Sequence, residues 1–236
     1  MFDRIRKKIK KQNTEMQDII SDELQEVELT EPEQAELETT IQSDPDYLQY
    51  APEAVGYATR EQQFNMYKAI ATHIDDPTRS ILDFGAGRGD FGRWLCSNYE
   101  LTTNDIQYKG IELNQPLVDA CTALNDNINV TTADWLNLDD SVKAEWCVNI
   151  NSNNMRYDAD ITKSDMDYLQ STISKMYDTA ELGVVISLTS DVTNTQDGLI
   201  NWNAGDIFNW AQNTFGRVAL DHTMSDDMFI LIIYKF

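Results

Sequence analysis

Cysteine is scarce. Cys96, Cys121 and Cys147 are odd in number and far apart, so neither a disulfide framework nor a closely spaced zinc site is expected. That usage fits a reducing compartment. Histidine is scarcer still, with only His73 and His222. No apolar stretch approaches the roughly 20 residues that a spanning helix needs. The longest, 183–188 and 229–234, have the length of a strand. The first residues, Met1–Lys11, lack the apolar centre of an export signal. These absences predict a cytoplasmic protein without membrane association. Basic residues are outnumbered, 18 Lys and Arg against 40 Asp and Glu, for a net charge of -22 and a pI near 4.2. A surface of that sign repels phosphate backbones and argues against general nucleic-acid binding.

What is present divides at about residue 46. Residues 1–46 begin with a basic block, Arg4, Arg6, Lys7, Lys8, Lys10 and Lys11, in which Phe2, Ile5 and Ile9 recur at helical spacing. From Asn13 to Asp46 there is no Lys or Arg among many acids. Such a segment buries too little to form a core. It reads as a charged arm, partly helical or disordered, or as an arm that docks on a protein partner through its amphipathic start.

Residues 47–236 alternate between strand and helix patterns. Strands are expected at 81–84, 108–112, 128–132, 145–150, 183–188, 217–221 and 228–234. Helices are expected at 60–73, 90–97, 115–124, 163–177 and 205–214. That alternation predicts an α/β, Rossmann-like sandwich. Its seven-stranded sheet is mostly parallel, with helices on both faces. The link between the last two strands is too short for a crossover helix, so the terminal strand runs antiparallel to its neighbour.

The strongest local signal is Ser80-Ile-Leu-Asp-Phe-Gly-Ala-Gly-Arg-Gly-Asp-Phe-Gly92. An apolar strand runs into Gly85, Ala86, Gly87 and Gly89, and a helix follows. Glycines permit a sharp turn and close ligand approach, and the helix start offers free N–H groups. Several nucleotide cofactors use such a turn. Asp83, two residues before the first glycine, is the distinguishing detail, because a carboxylate suits a cationic group better than a phosphate. It also fits a plain cap on the turn. Glu112 ends the second strand, where related folds place an acid against ribose hydroxyls, though a strand-end acid is common in a chain this acidic. Asp134 and Trp135 follow the third strand. By residue preference alone they read as a helix N-cap beside a core tryptophan.

On these motifs the chain resembles the class I S-adenosylmethionine (SAM)-dependent methyltransferase family over roughly residues 50–236. The resemblance implies SAM as cofactor. Asp83 would hold the methionine ammonium over the Gly85-Ala86-Gly87 turn, and Glu112 the ribose. Asp134 would take the adenine amino group, with Trp135 as an aromatic wall. Residues 54–63 look like the segment before the first strand in a bacterial and phage branch of the family, where Tyr57 and Gln62 would close over the cofactor. The terminal strand pair is similar to that branch too, which would place the protein in a host cytoplasm or a virion. The loop after the fourth strand, Asn149–Tyr157, departs from the better-defined subfamilies. It has neither the Asn/Asp-Pro-Pro-aromatic box of the amino-methylating DNA enzymes nor an acidic metal cluster of the kind catechol-type enzymes use, and no metal is expected. Asn151, Asn153 and Tyr157 lie where they could touch cofactor or acceptor, or form Asx turns. His222, after the sixth strand, could serve as a base. His73 reads as a helix-end residue.

The implied activity is methyl transfer from SAM to an acceptor, with a small molecule or a protein favoured. One alternative keeps the fold as a silent binding subunit of a larger assembly, anchored by residues 1–46. Another, a nicotinamide-dependent dehydrogenase, explains the glycines and Glu112 but not Asp83.

Overall fold

The computed structural model describes residues 45–154, 165–192 and 199–235. The arm expected over 1–46 lies outside the described residues except for Pro45 and Asp46, which open the first helix, α1 (Pro45–Tyr50). A 3-10 turn at Glu53–Val55 leads into α2 (Arg60–Ala71). There follow β1 (Ser80–Phe84), α3 (Asp90–Asn98), β2 (Gln107–Glu112), α4 (Gln115–Leu124) and β3 (Asn129–Thr132). The second half holds β4 (Ala144–Ile150), α5 (Asp165–Thr179), β5 (Ala180–Thr189), α6 (Ala204–Phe215), β6 (Val218–Asp221) and β7 (Met228–Tyr234). No helix among the described residues is long and apolar enough to cross a membrane.

The seven strands form one sheet in the order β3-β2-β1-β4-β5-β7-β6. All run parallel except β7, which is antiparallel to both its neighbours. The expected architecture is therefore present. The terminal strand is not at the edge of the sheet but is inserted between β5 and β6. Its run Phe229–Ile233 is almost wholly buried, which explains why it reads as continuously apolar rather than alternating.

The sheet is covered on both faces. On one, Phe84, Cys147, Ile186 and Leu231 pack with Leu169, Ile173 and Met176 of α5 and Ile207 and Ala211 of α6. On the other, Ile81, Val148, Val185 and Ile232 pack with Met66, Tyr67 and Ile70 of α2 and Phe91, Trp94 and Leu95 of α3. Thr59 starts α2, its hydroxyl accepting from the Gln62 N–H at 3.1 Å. Alternation along β1 sends Ile81 and Asp83 to the second face and Leu82 and Phe84 to the first. A single acid is thereby carried into an aromatic layer near the carboxyl rim of the sheet.

Candidate functional site

The glycine turn between β1 and α3 is held to the neighbouring strand. The N–H groups of Gly85 and Ala86 both donate to the Ile111 carbonyl, at 2.8 and 3.0 Å. Gly85 has a φ of +79°, and a Cβ there would lie 2.4 Å from the Ser152 side chain in the turn after β4. The position needs glycine for its conformation and for the space.

Asp83 is 2% exposed. The Tyr108 hydroxyl donates to its Oδ2 at 2.7 Å, while its Oδ1 is buried without a partner. The Tyr108 ring can come in from β2 because a Cβ on Gly92 would sit 2.7 Å from it. Burial, opposed by the Tyr108 hydrogen bond and aided by the nearby Glu112 charge, pushes the Asp83 carboxyl up to about 7.

Glu112, also buried, ends β2 beside the turn. Its Oε2 accepts from the Gly87 N–H and its Oε1 from the Asn114 N–H, each at 2.8 Å. Each oxygen keeps a lone pair for a further donor. Those bonds fix the carboxylate at the rim beside the glycine turn.

Asp83, Gly85, Ala86 and Gly87 line one cleft together with Val55, Tyr57, Tyr67, Asp90, Phe91 and Ile150. The open space between them is about 30 Å³, room for a water or two. Tyr57 reaches into it from the segment before α2. Its ring is 5% exposed and packs edge-on to Tyr67, and its hydroxyl has no partner. Burial and the Asp83 and Asp90 charges push the Tyr57 phenol upward, so it stays a donor.

Other expected residues stand elsewhere. Gln62 is exposed on the outside of α2, its side-chain oxygen accepting from the Ala58 N–H at 3.1 Å. The glutamine that turns inward is Gln63, fully buried and bonded to Tyr67 and Asp90. Helical spacing puts position 63, not 62, on the face shared with Met66 and Tyr67. Trp135 is no wall of the cleft. It is fully buried in the core beneath α5, its indole N–H donating to Thr172 Oγ1 at 3.3 Å. Asp134 caps the short turn that folds Trp135 inward, accepting from the Leu136 N–H at 3.0 Å and from Asn137 Nδ2 at 2.6 Å. Its carboxylate is nonetheless exposed at the end of β3, next to β2, where the Ala133 N–H donates to the Glu112 carbonyl at 3.1 Å.

Asn151 takes a left-handed conformation, φ 69°, and its side-chain oxygen accepts from Asn154 Nδ2 at 2.9 Å. It shapes the turn after β4. Asn153 is buried there with neither side-chain polar atom paired. Tyr157 lies outside the described residues. His222 follows β6 at the far edge of the sheet, four strands from β1, against the Phe229 ring. It is not among the cleft residues. His73 pairs with Asp221 at 3.2 Å.

Arg88, unusual among the glycines, pairs with the nearby Asp90 carboxylate: its guanidinium is fully buried, with Nε donating to Asp90 Oδ2 at 2.9 Å and Nη1 to the Leu48 carbonyl at 2.7 Å. No feature of the local sequence points to the second bond, because Leu48 is forty residues away.

No protein-family model and no curated protein matches the sequence. Solved structures do match in fold. Magnesium protoporphyrin IX methyltransferase from Synechocystis, with bound S-adenosylhomocysteine (SAH), is 12% identical; the match covers 84% of this chain and 100% of that one, with a TM-score of 0.55. A TehB-like SAM-dependent methyltransferase from Corynebacterium glutamicum is 14% identical over 86% and 99% of the two chains, with a TM-score of 0.54. The glycopeptide N-methyltransferase MtfA, complexed with sinefungin, is 9% identical over 72% and 92%, with a TM-score of 0.53. At such identities the likeness is one of fold.

Proposed function

We propose that this chain, which has the fold of the class I SAM-dependent methyltransferases, binds SAM at the cleft beside the glycine turn and transfers its methyl group to an acceptor. The observation that carries the reading is the unpaired Oδ1 of Asp83. A buried carboxylate oxygen without a donor is costly, and a cationic group entering the cleft removes that cost. A nicotinamide cofactor, whose diphosphate is anionic, has no such use for Asp83.

SAM, when bound, supplies a methyl group made electrophilic by its sulfonium. The chain supplies the binding. Asp83 accepts from the ammonium group, and Glu112 accepts from the ribose hydroxyls with the oxygens already aligned by Gly87 and Asn114. Asp134 is the rim carboxylate available to the adenine amino group. Tyr57, Phe91 and Ile150 line the cleft with apolar surface and exclude water from it. Positioning of this kind contributes several kcal/mol to a transfer reaction, roughly 7 or more in well-oriented systems. The acceptor is a small molecule or a protein, in keeping with the acidic surface.

Calorimetry with SAM and SAH tests the reading. Both are expected to release or absorb heat with micromolar dissociation constants, and silence at high micromolar ligand for both removes it. The pH dependence is specific. Asp83 must be ionised to take the ammonium, and its carboxyl sits at about 7 in the free protein. SAH affinity is therefore expected to be flat just above pH 7 and to fall roughly tenfold per unit as the pH drops from 7 to 5. A flat profile over that range, read by titration calorimetry, disconnects Asp83 from the ligand.

A further inference from the structure

Two carboxylates line the cleft, and they are used differently. Asp83 keeps a free oxygen. Asp90, the first residue of α3, is taken up by the protein itself. Its Oδ2 accepts from Arg88 Nε at 2.9 Å and Gln63 Nε2 at 3.0 Å, and faces Arg60 Nη1 at 3.6 Å; its Oδ1 faces Arg93 Nη1 at 3.7 Å.

The two arginines on Oδ2 reach onward to the same element. Arg88 Nη1 donates to the Leu48 carbonyl, and Arg60 Nη2 to the Tyr50 carbonyl. Both acceptors lie in the last turn of α1, where helix carbonyls have no partner of their own. From α1 the chain runs through the Glu53–Val55 turn and Gly56, at φ 82°, to Tyr57. Val55 covers the glycine turn so closely that a Cβ on Gly87 would lie 3.0 Å from its Cγ1. With Val55 and Tyr57 in place, little open space is left beside Asp83. A group that reaches the Asp83 carboxylate displaces Val55 and Tyr57 from that space.

We infer that Asp90 is a positioning residue that holds Arg88 and Arg60 as a two-armed latch, keeping residues 45–57 closed over the cleft and setting how fast it opens. The closed arrangement is poised. Water can replace the arginines at the Leu48 and Tyr50 carbonyls when α1 lifts. Arg88 Nη2 is buried without a partner while the latch is shut, so opening relieves a desolvated donor. What passes the latch rests on the proposed SAM site; the closure itself is testable without any ligand.

Amide hydrogen exchange on the full chain decides it. The N–H groups of Val55, Gly56 and Tyr57 are bonded within the segment, to the carbonyls of Pro52, Glu53 and Pro52, so their exchange reads how firmly the arms hold that segment in its folded turn. Arg60→Gln removes one arm at a partly exposed site, and Asp90→Asn removes the anchor of both. Each is expected to speed exchange at residues 53–57 about tenfold while β4 and β5 keep wild-type protection. The double variant should add little to Asp90→Asn alone. Unchanged exchange at 53–57 in Arg60→Gln, with the sheet intact, overturns the latch even where Asp90→Asn fails to fold. Stopped-flow fluorescence with SAH supplies the second readout: association and dissociation should both quicken in Arg60→Gln, and unaltered rates also overturn the gating role. SAH that binds none of the proteins counts against the functional reading and leaves the exchange result standing.

Discussion

Asp83→Asn is expected to weaken SAM and SAH binding about a hundredfold while making the ligand-free protein more stable at pH 8. Asparagine keeps the shape and can still accept from the Tyr108 hydroxyl, so the aromatic layer is undisturbed. What disappears is the charge, and a charge-assisted hydrogen bond in a buried setting contributes about 3 kcal/mol. The stability change has the opposite sign. The Asp83 carboxyl is raised from 3.8 to about 7 in the folded chain. A raised carboxyl contributes stability that is fully present below the unfolded pKa and is lost as the pH climbs through 7. At pH 8 the wild-type chain holds a buried charge with a vacant oxygen, and the variant does not. A Tm gain of roughly 3 °C or more at pH 8, vanishing near pH 4, is the expected thermal profile. A variant that binds SAH as wild type does would sink the proposed site, whatever its stability.

Gly85→Ala should damage folding and binding together. The left-handed φ costs an alanine about 1–2 kcal/mol. Its methyl group would also enter the Ser152 side chain at 2.4 Å, an overlap that costs about 1–3 kcal/mol to relieve by backbone shifts. Together these amount to about 3 kcal/mol, a Tm lowered by roughly 6–12 °C. Ser152 cannot simply rotate away, because its Cβ is as close as its hydroxyl and its Oγ donates to the Phe84 carbonyl at 3.2 Å. Adding Ser152→Gly should restore part of the loss in thermal unfolding, while the strain in φ remains. An unchanged Tm in Gly85→Ala contradicts the tight apposition of the two turns.

Much of this site was legible in the sequence because strand periodicity and glycine placement are local signals. The ends of β1 and β2 could be located to within a residue, and with them Asp83 and Glu112. Trp135 was harder, because a large aromatic after a strand suits both a cleft and a core. The cap formed by Asp134 decides between them by turning the tryptophan under α5. Gln62 and Gln63 are adjacent and chemically identical, so only the phase of α2 against its neighbours tells which one is inside. A carboxylate partner for Arg88 was legible, since Asp90 is two residues on; the reach of Arg88 to Leu48 and of Arg60 to Tyr50 and Asp90 was not. Those contacts are an agreement between α1, α2 and the glycine turn, and no window of sequence contains all three. The position of β7 between β5 and β6 was likewise hidden, since the short link required an antiparallel pair but left open which strand lay on its other side.

That position governs how the molecule can be made. β5 and β6 are not paired with each other; each pairs with β7 on that side, and β7 is synthesised after both. While residues 228–234 are still inside the ribosome, β5 has a long, apolar, unpaired margin, the kind of edge on which nascent chains aggregate. A frameshift or premature stop just upstream of residue 228 therefore yields a product with its cofactor motifs intact and its sheet unsealed, one that chaperones and proteases should meet far more often than the finished protein.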